Sequence, residues 1–86
     1  MGVLAVPKTN GFPNRASRIQ HFHDHNKDFG ARNASHYEAM ADMFLAGHSP
    51  PTAIDCTRPQ GDYLRFDRTS DYFGVLTNQS IILSFF

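Results

Sequence analysis

The chain has 86 residues, 41% of them hydrophobic and 13% aromatic, which is typical of a small globular domain and not of a disordered segment. Eight basic residues balance eight acidic ones, so the basic excess of proteins that hold long nucleic acids is absent. A role on nucleic acid would therefore need a local cluster of charge. Five histidines can supply positive charge as the pH falls toward about 6.5.

The single cysteine, Cys56, excludes an internal disulfide and a zinc site built on a CxxC pair. Because no neighbour would activate its thiol, we expect Cys56 to be a buried packing residue. No run approaches the ~20 apolar residues of a membrane span, so we expect a soluble protein without a membrane partner.

The N-terminal 14 residues contain two prolines and two glycines, which predict an irregular leader over residues 1–14. The apolar run Val3 to Val6 is too short for a signal peptide but could add an edge strand. We expect a single domain over residues 15–86.

A first helix is predicted from about Ala16 to Asn26, where apolar residues recur three positions apart. Asn14 or Ser17 could cap its start, and Gly30 is the kind of residue that ends a helix.

A second helix is predicted from Ser35 to about Ala46. Ser35 and Glu38 have the spacing of a capping box, and Gly47 is expected to end the helix. Its apolar positions follow the helical period: Tyr37, Met40, Ala41 and Phe44.

The period changes to two after Pro51, which predicts four short strands. We expect them at Ala53 to Arg58, Tyr63 to Asp67, Tyr72 to Leu76 and Ile81 to Phe86. The connections are too short for a crossover helix, so neighbouring strands should be antiparallel. The predicted fold class is α+β, with two N-terminal helices packed on one face of a four-stranded antiparallel sheet.

The stretch HFHDHNKDFG carries three histidines, and helical geometry places His21 and His25 on one side together with Arg18. A zinc site is one interpretation, but the glutamate that follows the first histidine in the HExxH motif is missing. A solvated helix face is another. Acid–base chemistry without a metal or a cofactor is the third, because imidazole exchanges protons near neutral pH.

Cleavage of RNA needs a base for the 2′-hydroxyl, an acid for the leaving 5′-oxygen and cations for the phosphorane. Arg58 and Arg65 could bind the phosphate, because a guanidinium is a bidentate donor. Ser84 and Tyr63 could add hydroxyl donors. An arginine between Leu64 and Phe66, as Arg65 is, more often simply belongs to the polar face of an alternating strand.

The order of four stretches resembles a known toxin domain: HFHDHNKDFG, SHYEAMADMFLAG, CTRPQGDYLRFDRTSDYFGVL and IILSFF. It is similar to the C-terminal RNase toxin domain of bacterial polymorphic and contact-dependent inhibition toxins, in the barnase/EndoU/colicin/RelE-like superfamily. The resemblance covers roughly residues 19–86. It implies helices followed by a four-stranded antiparallel sheet.

The resemblance further implies a metal-independent endoribonuclease that cleaves tRNA or another structured RNA by 2′-hydroxyl attack. A cognate immunity protein would be its protein partner, and it would act in the bacterial cytoplasm, delivered by a secreted parent protein. The catalytic residues would be His21, His25, Arg58, Arg65 and Ser84. The substrate-binding candidates are Arg18, Lys27 and Tyr63.

Three positions depart from the family pattern: Asp24 replaces a lysine, Asn26 a glycine and Ser84 a threonine. The first change alters the local charge by two units, which could weaken anion binding by roughly 1 kcal/mol at an effective dielectric constant near 20. The alternative function is therefore a catalytically weakened relative that acts as a small binding or inhibitor protein. The chain opens with Met1 as if it stood alone, so it could be a solitary toxin, a phage-encoded relative or an excised toxin fragment. As a phage-encoded protein it could act against a bacterial defence complex.

Overall fold

Two helices form one layer of the protein, and the four strands that follow them in the sequence form the other. The structure is a computed structural model that describes residues 9–47 and 49–86. The elements are α1 (Arg15–Phe29), α2 (Ala34–Leu45), β1 (Ala53–Thr57), β2 (Tyr63–Asp67), β3 (Tyr72–Leu76) and β4 (Ile82–Phe85). The strands form one antiparallel sheet in the order β1-β2-β3-β4. The predicted α+β class is confirmed. The suggested edge strand at Val3 to Val6 lies outside the described residues.

The first helix begins and ends at the caps that its sequence offers. The side chain of Asn14 accepts a hydrogen bond from the Ser17 amide at 2.8 Å. At the other end Gly30 adopts a left-handed conformation with φ of 64°, and its amide donates to the carbonyl of Asn26. The helix is longer than predicted, because its last residue, Phe29, stacks on Phe85 with ring centroids 4.3 Å apart.

The second helix has a different N-cap from the predicted one. The side chain of Asn33 accepts from the His36 amide at 2.8 Å, so the capping box predicted at Ser35 is wrong. Asn33 has an extended backbone and directly precedes the helix, so its side chain accepts from an amide of the first turn that has no partner within the helix. The Glu38 carboxylate instead accepts from the Phe12 amide at 3.0 Å. It therefore holds the N-terminal segment against α2.

Two of the four strands have the predicted bounds, and the outer two are shorter. β1 ends at Thr57, because the Arg58 amide donates to the carbonyl of Asp62 at 2.8 Å and so belongs to the turn. β4 covers Ile82–Phe85 and not Ile81 to Phe86.

The helices pack on the β3–β4 half of the sheet, where the main core lies. Its buried members are Phe12, Ala31, Tyr37, Ala41, Leu45, Leu76, Ile82 and Phe85. The core thus includes a residue of the predicted leader. The backbone joins this segment to the sheet, because the Asn10 amide donates to Ser80 and the Ile82 amide donates to Gly11.

The two faces of the sheet differ in composition. Arg65 lies opposite Gly74, and a Cβ on Gly74 would meet Leu45 of α2, so this face is the one covered by helices. The alternating residues Leu64 and Phe66 therefore lie on the opposite face. No helix in the described part of the chain is long and apolar enough to cross a membrane.

Candidate functional site

Two histidines of α1 form the centre of a continuous row of rings, which we call the ring stack: Phe12, His21, His25 and Phe86. The two imidazole centroids are 6.0 Å apart and their planes differ by 28°. Phe12 lies 5.0 Å from His21, and Phe86 lies 5.3 Å from His25. The sequence placed His21 and His25 on one side of the helix, and in the structure they lie on the same side.

The environment of His21 favours its neutral form. Its Nδ1 atom is buried and has no hydrogen-bond partner among the described residues. Burial lowers the pKa of His21, the neighbouring His25 lowers it further, and Asp24 opposes both effects. A neutral imidazole can therefore persist at a pH where an ordinary histidine is protonated.

Substituting His21 should make the domain less sensitive to acid. The folded His21 binds its proton more weakly than the unfolded one, so protonation of the unfolded state lowers stability as the pH falls through the ordinary value of 6.5. We expect the Tm of the unmodified protein to drop between pH 7.5 and pH 5 more than that of His21→Phe. The exposed His23 provides the matched control, since His23→Phe should keep the original pH dependence. An unchanged pH dependence in His21→Phe would contradict this account.

An open cavity of about 420 Å³ lies beside His25, at the end of the sheet where the β2–β3 turn and Phe86 lie. Its lining residues are His25, Phe29, Ser70, Asp71, Tyr72 and Phe86. The Asp71 backbone is left-handed, with φ of 65°, and its side chain makes no hydrogen bond or ion pair with any described residue. Sequence reasoning missed Ser70, Asp71, Tyr72 and Phe86 as site residues. The turn between β2 and β3 gave no local signal, because only tertiary packing brings it to α1.

Arg65 is buried beneath the C-terminus of α2, where groups of the protein itself accept hydrogen bonds from the guanidinium. Its side chain is 1% exposed and its Nε donates to Asp55 at 3.0 Å. The other two nitrogens donate to the carbonyls of Phe44 and Gly47 and to the Tyr63 hydroxyl, at 2.9, 3.2 and 2.7 Å. Burial raises the pKa of Tyr63, as does its hydrogen bond to Asp55. Arg65 and Tyr63 thus form an internal network that does not face the histidines.

Arg58 lies at the opposite edge of the sheet from the histidines. It pairs with Asp62 at 3.6 Å in the turn after β1. Since β1 and β4 are the outer strands of a four-stranded sheet, three strand spacings of about 4.8 Å separate them, or roughly 14 Å. The structure therefore does not bring Arg58 to the ring stack.

The remaining predicted residues lie around α1 and β4. Arg18, one turn before His21, makes an ion pair with Glu38 at 3.5 Å. Lys27 is exposed and points about 200° around the helix from His25. Ser84 lies opposite Val75, on the sheet face turned away from the helices.

Cys56 is exposed, so the prediction that it packs inside the protein is wrong. It lies on the edge strand β1 opposite Leu64, on the face of the sheet that is turned away from the helices. The described residues contain no group of three or more His, Cys, Asp or Glu that could hold a metal ion.

The fold and the ring stack define a small α+β protein with paired imidazoles beside an open cavity. No family model matches the chain. The curated proteins likewise contain no match to it. The resemblance to an RNase toxin domain therefore rests on the quoted stretches, and it stays a prediction.

Proposed function

We propose that the protein is a metal-independent endoribonuclease whose reacting groups are His21 and His25. The observation that supports the proposal is the geometry of this pair: two stacked imidazoles, 6.0 Å apart, with His25 on the wall of an open cavity. Two proton carriers at this spacing fit a reaction that removes one proton and delivers another. The likeness to toxin RNases favours tRNA or another structured RNA as the substrate.

In the proposed reaction, one imidazole takes the proton of a ribose 2′-hydroxyl while its oxygen attacks the adjacent phosphorus. The bond to the 5′-oxygen breaks, and that oxygen receives a proton from the second, protonated imidazole. The products are a 2′,3′-cyclic phosphate and a 5′-hydroxyl. The lowered pKa of His21 makes His21 the better candidate for the neutral base, and leaves the acid role to His25.

The positive charge that faces the phosphorane would come from the imidazolium, because Arg65 and Arg58 are placed elsewhere. Arg18 is the nearest arginine along the helix, and it is partly neutralised by Glu38. Asp24 accepts hydrogen bonds from Gln20 at 3.0 and 3.1 Å. Its carboxylate is therefore held by the helix surface, although it still adds negative charge near the pair.

The first test is incubation of the purified protein with total bacterial RNA in excess EDTA. We expect discrete cleavage by the unmodified protein and none by His25→Ala. His23→Ala is the matched control, since it removes an exposed imidazole from the same helix and should leave cleavage intact. Intact RNA with protein that is shown to be folded would contradict the proposal, as would equal loss of cleavage in both variants.

The second candidate is a binding or inhibitor protein, and one feature of the sheet favours it. Three large apolar side chains on the strands or at their ends are strongly exposed: Ile54 at 56%, Leu83 at 40% and Phe86 at 45%. All three belong to the outer strands of the sheet or directly follow one, and an exposed apolar edge strand can pair with another chain. Expression in bacteria separates the candidates, because a nuclease should arrest growth, with relief in His25→Ala. A binding protein should be harmless and co-purify with a protein partner such as a defence complex.

A further inference from the structure

We propose that strand β1 is a docking surface for a second copy of this chain. The two β1 strands would pair antiparallel about a two-fold axis at Cys56 and join the two sheets into one of eight strands. This inference does not depend on the proposed nuclease activity, because β1 lies at one edge of the sheet and the ring stack lies near β4, at the other.

Of the two outer strands, β1 is the one with an uncovered edge. The edge of β4 is occupied in part by the N-terminal segment, because the Ile82 amide donates to the carbonyl of Gly11. In β1, residues 54–57 are exposed. Apart from the Ala53 amide, which donates to the Pro50 carbonyl, no group on the free side of β1 has a hydrogen bond to a described residue. An unpaired edge of this kind is a template for another strand.

The alternation of hydrogen bonds along β1 determines which residues face the open edge. The carbonyl of Thr52 accepts from the Arg68 amide at 3.2 Å, so the position just before β1 bonds toward β2. In an antiparallel pair, residues that bond to the neighbouring strand alternate with residues that do not. The even-numbered residues of β1 therefore bond to β2, and the amides and carbonyls of Asp55 and Thr57 point outward.

A two-fold axis at Cys56 matches these free groups with the same groups of a second copy. It places Asp55 opposite Thr57 of the second copy, and Thr57 opposite the Asp55 of the second copy. The two pairs exchange four hydrogen bonds, which uses every free amide and carbonyl of both residues. An axis at Asp55 is disfavoured because it sets two carboxylates against each other, whereas a Thr57 hydroxyl can donate to Asp55.

The same register brings side chains together on the sheet face that is turned away from the helices. Cys56 meets Cys56 of the second copy, and Leu64 of β2 lies beside each of them. Ile54, which is 56% exposed, packs on the aliphatic part of Arg58 of the second copy. The helices do not obstruct the approach, because they pack on the β3–β4 half of each sheet. The contact therefore buries apolar surface that the single chain leaves in water.

The first measurement is the mass of the whole chain by light scattering in reducing buffer. We expect the mass to rise from 9.7 kDa toward twice that value between about 10 µM and about 1 mM, the range of weak interfaces. Thr57→Pro should stay monomeric, because proline removes an outward-facing amide and no hydrogen bond to β2. Thr57→Val is the matched control, since it keeps the amide and should still dimerise. Circular dichroism shows whether both variants are folded.

Disulfide formation tests the register and decides the question alone if Thr57→Pro does not fold. With copper phenanthroline as the oxidant, Cys56 should link two unmodified chains, because opposite residues of a non-hydrogen-bonded pair have Cα atoms about 4.5 Å apart. In the double variant Cys56→Ala, Ile54→Cys the two thiols would lie four residues out of register. Linking should then be slower by roughly tenfold or more.

A chain that stays monomeric at about 1 mM would overturn the proposal, even if a different protein were found to pair with β1. Dimers that persist in folded Thr57→Pro would also overturn it. Equal rates of linking from positions 54 and 56 would do the same, because they would indicate random collision. RNA cleavage is a separate readout, so either result leaves the proposed nuclease to its own test.

Discussion

Arg65→Met should lower the free energy of unfolding by about 3 kcal/mol. This is the largest loss that we expect from replacing a charged residue of this domain. The side chain is 1% exposed and makes four hydrogen bonds, to Asp55, Phe44, Gly47 and Tyr63. Methionine fills similar space but donates nothing. The Asp55 carboxylate and the carbonyls of Phe44 and Gly47 would then lose the hydrogen bonds that Arg65 donates to them. A buried acceptor that loses its donor costs more free energy than the hydrogen bond contributes.

Arg58→Met is the matched control for this prediction. Arg58 also pairs with an aspartate, but its side chain is 44% exposed, so its loss should change the free energy of unfolding by no more than about 0.5 kcal/mol. Urea denaturation of both variants at neutral pH measures the difference. Similar midpoints for the two variants would show that the Arg65 network does not stabilise the fold.

The Arg65 network also shows what an alternating pattern does and does not determine. Alternation predicted β2 and its two faces, and it placed Leu64 and Phe66 opposite Arg65. It did not determine which face the helices cover. In the structure the polar face of β2 lies under α2, because the guanidinium donates to carbonyls at the C-terminus of that helix. The carbonyls at the C-terminus of α2 need hydrogen-bond donors, so a polar contact with Arg65 is found where an apolar contact between helix and sheet is usual.

Local signals predicted most of the fold. The two-residue alternation after Pro51 predicted the strands, and the short connections predicted that neighbouring strands are antiparallel. The caps of α1 are Asn14 and Gly30, both of which the sequence offered. The errors came from competition between local signals. Ser35 and Glu38 matched the capping box, but Asn33 lies earlier and Glu38 is used by the Phe12 amide.

The candidate site was predictable only as far as one helix extends. The spacing of His21 and His25 within α1 is a local property, and the structure shows their rings stacked. The partners of His25 come from the turn before β3 and from Phe86, which are distant in sequence. Residue type alone cannot tell that Arg65 is buried in a hydrogen-bond network while Asp71 is exposed to solvent.

The packing of α2 on the sheet depends on the absence of a side chain at Gly74, and adding one should have the second large effect. A Cβ at this position would lie 2.7 Å from Cδ2 and 2.9 Å from Cγ of Leu45, which is itself buried. Overpacking of this kind costs about 1–3 kcal/mol. We expect Gly74→Ala to fall in the lower half of that range and Gly74→Val to lie near its upper end, measured by urea denaturation.

Shortening Leu45 tests whether this contact is the cause. Leu45→Ala should by itself cost about 2–5 kcal/mol, because it empties a buried site. In that background, however, Gly74→Ala should cost almost nothing, since the added methyl group would fill part of the cavity. The two substitutions should therefore be less harmful together than the sum of their separate effects, by at least 1 kcal/mol. Simple additivity would mean that Gly74 is required for the β3 backbone and not for the approach of α2, and the close packing of helix on strand would lose its explanation.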